Sequence, residues 1–411
     1  MRLAHSFAIA ACCVACGAGP SLGPSSPEST GGATVAIGSG VEPVTNYRST
    51  AAALRTLGED DKKLRGLALE YFATHQMILE GDGALDTVAS WVIDHVVSEE
   101  GDLRMEAVDF VSHKAGWIGI SLSASLATSK GDGWADLLSN TKDSWSAGFS
   151  WNRVGIATLR RGTQLFGAIV VGGVRLELEP MPRRYESGST LAVEGKLGEG
   201  LRDAEIVFSR PDGNTTRIPT QKGRKFHGSL VADADGEYRV EVLGTGKEGL
   251  KVLANFPVYV GVAPKLEIAV TATTSETADE AAVTLLRLAN EERAKHGLPA
   301  LRSDPKLTLM AHAHSMDMAK NRFFGHRSPQ HGDLEQRAQA AGVRPLIYGE
   351  NVAHAPTSAG VHAALMGSPG HRANILKKEY THVGVSIVRD PQSGDEISWV
   401  ATQVFASYPD R

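Results

Sequence analysis

Hydrophobic and polar positions follow helical and strand periods in turn along the first half of this chain. Apolar residues recur at three- and four-residue spacing over 60–79 and 84–97, which predicts two amphipathic helices. Alternating or continuous apolar runs then predict four strands, at 117–126, 154–159, 167–171 and 174–178. We therefore expect an α/β domain over 47–179.

The pattern changes between 180 and 263, where short alternating runs recur about every 10–13 residues. They lie at 190–197, 204–209, 215–219, 226–231, 237–243 and 252–260. Turn sequences such as Pro211-Asp212-Gly213-Asn214 separate them. This rhythm predicts an antiparallel β-sandwich of immunoglobulin-like architecture. A linker is expected at 264–278.

The last segment, 279–411, shows helical periods followed by a hairpin. Four helices are predicted from their N-terminal residues, which are Thr277 (with Glu280 as a capping box), Asp304, Asp333 and Ser358. Alternating runs at 382–389 and 396–405 flank a turn and predict an antiparallel pair. The fold class of the whole chain is therefore predicted to be α+β.

The N-terminus points to export. The chain's three cysteines, Cys12, Cys13 and Cys16, lie within residues 1–16, which resemble a lipoprotein-type signal peptide. Ile9-Ala10-Ala11-Cys12 fits the lipobox pattern, so Cys12 or Cys16 is predicted to be lipidated; a simple cleaved secretory signal and a cytoplasmic chain are the alternatives. Residues 17–46, rich in Gly, Pro and Ser, are predicted to be a flexible linker. We expect a protein lipid-anchored at the bacterial cell envelope, or extracellular.

Composition narrows the choice of partners. The 411 residues carry a formal net charge of −5 and a pI near 6.3, which gives no reason to expect a nucleic-acid partner. No apolar run beyond the first residues is long enough to span a membrane, so the expected membrane contact is through a lipid anchor alone.

Candidate chemistry lies in three short strings near the C-terminus. They are Phe323-Phe324-Gly325-His326, Gly349-Glu350-Asn351 and Ser368-Pro369-Gly370-His371-Arg372. An imidazole can bind a metal or transfer protons near neutral pH, and a carboxylate can act as ligand, base or hydrogen-bond acceptor. The spacings are too wide for one helix face, so only tertiary folding could bring the three together.

These strings belong to a longer series that resembles the CAP superfamily of cysteine-rich secretory proteins, antigen 5 and pathogenesis-related proteins, in its bacterial SCP-like branch. The series comprises 288–293 (LANEER), 297–301 (GLPAL), 316–319 (MDMA), 323–329 (FFGHRSP), 348–351 (YGEN), 368–376 (SPGHRANIL) and 382–385 (HVGV). The resemblance implies an α-β-α sandwich whose cleft carries two His and usually two Glu, often with a divalent metal. Carried over, these are His326, Glu350 and His371, and the second Glu has no counterpart. The resemblance thus implies a ligand-binding cleft with His326, Glu350, Asn351 and His371, in which His326, His371 and Glu350 could bind Zn²⁺.

Three functions are compatible with this reading. The first is a ligand-binding module for a lipid or another envelope component. The second is a metal-dependent hydrolase of peptide or glycan, with Glu350 as base. The third is a structural or adhesion protein of the envelope. Since no nucleophile accompanies the motif, no other catalytic residue is assigned.

The first domain invites comparison with the last. Residues 109–113 (DFVSH) echo 323–326 (FFGH), and 153–157 (RVGIA) echo 382–385 (HVGV). We therefore hypothesise that the N-terminal α/β domain is a degenerate CAP-like copy; an unrelated α/β domain is the alternative. Two residues of the last domain receive a structural reading, His314 as a core histidine and Arg337 as a member of an ion pair.

Overall fold

A computed structural model describes residues 34–37, 40–49, 56–98, 105–131, 133–135, 138, 151–247, 249–271, 276–355, 357–391 and 399–408. The proposed signal peptide and both candidate lipidation cysteines, Cys12 and Cys16, lie outside these residues. Within them, no helix combines the length and apolarity needed to cross a membrane.

The first part of the chain forms a four-stranded sheet with helices. Its elements are β1 (Thr34–Ile37), β2 (Asn46–Tyr47), α1 (Glu59–Thr74), β3 (Glu80–Gly81), α2 (Gly83–Ile93, continued by a π-helical turn at Asp94–Ser98), α3 (Met105–Lys114), β4 (Ser121–Lys130), β5 (Arg153–Arg161) and β6 (Gln164–Gly173). The sheet order is β3-β5-β6-β4. β3 pairs parallel with β5, and the other two pairings are antiparallel.

Two sheets of antiparallel strands follow, apart from one short parallel pair. Their strands are β7 (Leu176–Leu178), β8 (Met181–Pro182), β9 (Arg184–Tyr185), β10 (Thr190–Leu197), β11 (Arg202–Ser209), β12 (Thr215–Pro219), β13 (Lys225–Val231), β14 (Gly236–Gly246) and β15 (Gly249–Val260). One sheet has the order β13-β10-β7 and the other β12-β11-β14-β15-β9, while β8 pairs with β2. Six of these strands, β10 to β15, lie where the alternating runs predict them. β7 differs from expectation, because it pairs with β10 rather than with the first sheet.

Both segments predicted as linkers contribute a strand. β1, inside the predicted flexible linker 17–46, pairs antiparallel with β16 (Ile268–Thr271), inside the predicted linker 264–278. The predicted flexible linker therefore contains a paired strand at 34–37, and the predicted linker 264–278 contains one at 268–271. Each strand has three apolar residues out of four, but a run this short does not distinguish a strand from other buried structure by its pattern alone.

The last part has the elements that position the candidate site. They are α4 (Ala278–Lys295), β17 (Arg302–Ser303), α5 (Pro305–Asn321), α6 (Leu334–Ala340), β18 (Ile347–Ala355), α7 (Ser358–Gly367), α8 (Pro369–Ile375), β19 (His382–Arg389) and β20 (Trp399–Ser407). The sheet order is β17-β19-β20-β18. Helix starts follow local capping, since the side chains of Thr277, Asp304 and Asp333 accept backbone hydrogen bonds from the first turns of α4, α5 and α6. α7 begins at Ser358 with Thr357 as its cap.

Helices lie against both faces of this last sheet. Ala353 and Phe405 pack with residues of α4 and α7, whereas their neighbours Val352 and Val404 pack toward α5 and α6. This alternation follows from the two-residue period of a strand. It also sends Glu350 and Asn351 to opposite faces.

The first and last sheets share strand order and strand directions. In each, a two-residue strand pairs parallel with the first strand of a hairpin, and the second hairpin strand pairs with an earlier strand. The echo between 153–157 and 382–385 falls at equivalent places: a Cβ on Gly155 would meet the carbonyl carbon of Leu85 at 2.0 Å, and one on Gly384 would meet that of Leu307 at 2.0 Å. Each glycine thus lets a helix approach its strand closely.

The other echo does not correspond. Residues 109–113 lie inside α3, whereas 323–326 lie in the loop between α5 and α6. His113 is buried, and its Nε2 lies 2.9 Å from the carbonyl oxygen of Asn255 on β15.

Candidate functional site

The candidate site is built around a buried carboxylate, Glu350, the fourth residue of β18. Its side chain is fully buried, and its Oε1 lies 3.0 Å from Nδ1 of His326. His326 comes from the loop that joins α5 to α6. Folding therefore brings together two of the three residues that the sequence proposed.

Arg337 on α6 completes this contact. Its guanidinium donates to both carboxylate oxygens of Glu350, at 2.8 Å and 2.9 Å, and to the carbonyl oxygen of His326 at 2.9 Å. A bidentate guanidinium–carboxylate pair is geometrically specific and strong for a hydrogen bond. Arg337 therefore fixes both the carboxylate and the backbone of the loop that carries His326.

The protonation states follow from this geometry. Burial disfavours the charged form of Glu350, yet nearby positive charge and the hydrogen bonds from His326 and Arg337 outweigh it, so the pKa of Glu350 lies well below its ordinary value. Burial lowers the pKa of His314, which makes this imidazole neutral at pH 7. Arg337 is therefore the cation that holds Glu350 ionised.

His314 belongs to the same cluster, as well as to the core. It is buried on α5; its Nε2 donates to the carbonyl oxygen of Gly325 at 2.9 Å and lies 3.8 Å from Oε1 of Glu350. The helical pattern correctly placed it on the apolar face. Its role in holding the backbone next to His326 carried no sequence signal beyond its being a histidine.

His371 approaches from α8, a helix that the sequence patterns did not separate from α7. Its ring is fully buried, with its centroid 6.1 Å from that of His326. Asn351 holds this region from the other face of β18: its Nδ2 donates to the carbonyl oxygen of His371 and to Oε1 of Gln403, each at 3.1 Å. Asn374 in turn donates to Oδ1 of Asn351 at 2.9 Å. Asn351 is fully buried, and its hydrogen bonds position α8.

The donor set, as placed, does not fit a three-ligand zinc site. Both oxygens of Glu350 are bonded to Arg337, and Nδ1 of His326 is bonded to Glu350. Among the described residues, no group of three or more His, Cys, Asp or Glu is arranged to hold a metal ion. Nε2 of His326 is buried and has no hydrogen-bond partner in this part of the chain, so one imidazole nitrogen remains available. The zinc site stays a prediction.

His326 also lines an open cleft of about 1520 Å³ between the last domain and the five-stranded sheet. One wall is the loop 323–332. The opposite wall consists of residues from the five-stranded sheet and its turns, and Ile120 and Ser121 from the first domain line the cleft as well. Glu350, Asn351 and His371 are not among the lining residues. No single segment of the sequence indicates this cleft, because three separate segments form it.

The five-stranded sheet also contacts the junction between α7 and α8 directly. Ser368 donates through Oγ to Oε1 of Glu241 on β14 at 2.7 Å, and Asn255 donates to the carbonyl oxygen of Gly367 at 2.9 Å. Glu241 is fully buried, and burial raises the pKa of its carboxyl to about 7. A charged residue in the middle of an alternating strand was the only sequence signal for this contact.

The last domain has a four-stranded sheet between helices, and the carboxylate of its Gly-Glu-Asn string holds a histidine. Both features agree with the class of domain that the sequence motifs indicate. Residues 286–405 match the cysteine-rich secretory protein family, CAP, and this segment of the chain is a CAP domain.

Among known proteins, the chain is similar to two from Bacillus subtilis (strain 168). It is 39% identical over 105 residues to the uncharacterized protein YkwD, and 38% identical over 108 residues to the uncharacterized membrane protein YlbC. These matches cover 25% and 26% of this chain and 41% and 31% of the two relatives. The chain therefore spans less than half the length of these curated relatives.

Solved structures give weaker likenesses. One is an extracellular protein containing an SCP domain from Bacillus anthracis str. Ames, at 18% identity and a TM-score of 0.29, covering 49% of this chain and 84% of that one. Another is an outer surface protein from Borrelia burgdorferi, at 19% identity and a TM-score of 0.30, covering 34% of this chain and 100% of that one.

Proposed function

We propose that this chain is an exported CAP-domain protein that binds an envelope-derived ligand in the cleft between its CAP domain and its β-sandwich. One observation carries the proposal: His326 forms part of the wall of a large cleft while Glu350 and Arg337 hold it from behind. A side chain fixed in this way can contact a ligand with little further loss of side-chain entropy on binding.

The other lining residues suit binding. Half-buried apolar side chains from opposite walls, Phe323 and Phe324 on the loop and Leu250 on β15, offer contact area beside His326. Ligand sites commonly combine such apolar surface with a few placed polar groups. The cleft meets this description with two histidines, His326 and His331, and several aromatic or aliphatic neighbours.

The hydrolase alternative draws no support from Glu350. A general base needs a lone pair directed at the substrate and a pKa near the working pH. Both oxygens of Glu350 are bonded to Arg337, the side chain is fully buried, and its pKa is lowered. Glu350 therefore acts as an anchor for His326 and Arg337.

The binding proposal is tested on the full chain by native mass spectrometry after exposure to an extract of bacterial envelope. Wild-type protein should retain a ligand that His326→Ala releases. His312→Ala is the matched control, because His312 is an exposed histidine on α5 outside the cleft. Equal retention by wild type and both variants contradicts the assignment of the cleft.

Export and anchoring are part of the proposal and rest on residues 1–16. The wild-type chain should incorporate radioactive palmitate, and one of the two variants Cys12→Ala and Cys16→Ala should not. The variant that loses the label identifies the modified residue. No incorporation into wild type would leave a simple secretory signal as the better reading.

We further infer that residues 56–173 are a second copy of the CAP fold without the site. The shared strand order and directions and the equivalent packing glycines, Gly155 and Gly384, support this. The first copy then serves as a structural partner that contributes to the wall of the cleft. An experimental structure in which its strand order differs would contradict the inference.

A further inference from the structure

The cleft is positively charged although the chain as a whole is acidic. Its lining includes six Lys or Arg side chains and two carboxylates, which are Arg175, Arg217, Lys222, Lys247, Lys251 and Arg327 against Asp203 and Glu205. The chain carries a formal net charge of −5. A cleft whose charge opposes that of the rest of the protein concentrates ligands of negative charge.

Some of these cations are already neutralised within the protein. Arg217 donates to both oxygens of Glu205 at 3.0 Å, and Arg327 lies 3.4 Å from Asp333. Of the other four cations, three have no carboxylate within ion-pair distance in the described part of the chain. They are Arg175, Lys222 and Lys247. These three are the cations left to meet a ligand.

The three cations are spread along the sandwich wall. Arg175 immediately precedes β7, Lys222 lies in the turn between β12 and β13, and Lys247 lies in the turn between β14 and β15. All three come from separate segments yet line one cleft. A single small anion could pair with one of them, whereas a ligand with repeated negative charges could meet all three.

The size of the cleft also favours a long ligand. Its volume of about 1520 Å³ exceeds the roughly 300–1,000 Å³ of ordinary small-molecule pockets. Both charged and apolar side chains line its walls, which suits a polymer of charged groups joined by uncharged units.

We propose that the cleft binds a polyanionic polymer, with repeated phosphate or carboxylate groups paired to Arg175, Lys222 and Lys247 and the uncharged units lying against the 323–332 loop. This rests on the proposed function, because it assigns a ligand class to the same cleft. Contacts of this kind are formed largely by charge neutralisation, so binding weakens steeply as salt is added.

The test uses the full chain and three probes of matched length: poly(glycerol phosphate), polygalacturonate and neutral dextran. Affinity is measured by calorimetry at roughly 50 and 200 mM salt, for wild type and for Lys222→Glu combined with Lys247→Glu. Lys225→Glu is the control, since Lys225 is an exposed lysine of neighbouring β13 outside the cleft. We expect at least one polyanion to bind wild type, with an affinity that falls roughly 20- to 40-fold between the two salt concentrations, as three paired cations imply.

The double variant should lose about tenfold or more in affinity for the polyanion, while Lys225→Glu binds as wild type does and dextran binds to none. Binding of the phosphate polymer alone, or of the uronate polymer alone, supports the inference and identifies which anionic group the cleft recognises. Absence of polyanion binding to wild type, or equal losses in the double variant and the control, overturns this inference. The proposed function then still stands if wild type retains an envelope ligand that His326→Ala releases.

Discussion

We expect the buried carboxyl of Glu241 to make the packing of α8 against the five-stranded sheet dependent on pH. Glu241 is on β14, and it accepts hydrogen bonds from the Ser368 hydroxyl at 2.7 Å and from the backbone N–H of Gly370. Burial outweighs these hydrogen bonds and the charges of Arg217 and Arg239, and it raises the pKa of Glu241 from 4.5 to about 7. We predict that Glu241→Gln removes this dependence.

The sign and size follow from proton linkage. Between pH 4.5 and pH 7 the folded protein holds a proton on Glu241 that the unfolded chain has lost, so the free energy of unfolding falls as pH rises through this window. A shift of this size corresponds to about 3 kcal/mol. The stabilisation is complete below the unfolded pKa and is lost above the folded one. Because Gln cannot ionise, the variant should become more stable than wild type by about 3 kcal/mol at roughly pH 8, relative to their difference near pH 4.5.

Urea unfolding of the full chain, followed by tryptophan fluorescence at constant ionic strength from about pH 4.5 to 8, measures this difference. Taking wild type minus variant cancels the histidines that titrate in the same range. Glu194→Gln is the control, since Glu194 is an exposed carboxylate on β10 of the same sandwich. Hydrogen exchange of the α8 amides should report the same trend. Parallel pH profiles for wild type and Glu241→Gln would refute the reasoning.

Three further predictions concern the CAP domain. Arg337→Met leaves Glu350 buried and without its cation, so the free energy of unfolding by urea should fall by roughly 3–5 kcal/mol. Adding Glu350→Gln to this variant should recover much of the lost stability. Additive losses from the two substitutions would contradict the pairing. Zinc titration by calorimetry should show no stoichiometric binding to wild type, because the carboxylate is occupied; tight binding that His326→Ala abolishes would show that Glu350 rearranges to bind the metal. Gly384→Ala places a Cβ against the Leu307 backbone and should cost about 1–3 kcal/mol, seen as a lower Tm; an unchanged Tm would mean that α5 moves freely.

Local features were predictable because their causes are local. Thr277, Asp304 and Asp333 accept backbone hydrogen bonds from residues next to them in sequence, so the capping pattern located three helix starts. Strands β10 to β15 followed from two-residue alternation between turns. The packing of His314 on the apolar face of α5 followed in the same way from helical spacing.

Long-range pairings were not predictable in this way. β1 pairs with β16 across more than half of the chain, and neither segment has a pattern that names its partner. The bidentate contact of Arg337 with Glu350 depends on where α6 meets β18. The cleft beside His326 required three segments to assemble, and each of them reads as ordinary surface in the sequence.

Under the inference that residues 56–173 are a second copy of the CAP fold, the two sheets explain why only the last domain has the candidate site. Across each sheet three residues lie side by side on neighbouring strands: Gly384, Val404 and Glu350 in the last sheet, and Gly155, Val170 and Ala124 in the first. The glycine is present in both because a helix must pass close to the strand for the fold to pack. The third position holds Glu350 in the last sheet and Ala124 in the first. A buried carboxylate is destabilising unless a cation and hydrogen bonds satisfy it, and a buried alanine carries no such penalty. Packing alone therefore does not account for Glu350. The presence of Glu350, and of the Arg337 guanidinium that is bonded to it, is explained if the two residues hold His326 at the wall of the cleft.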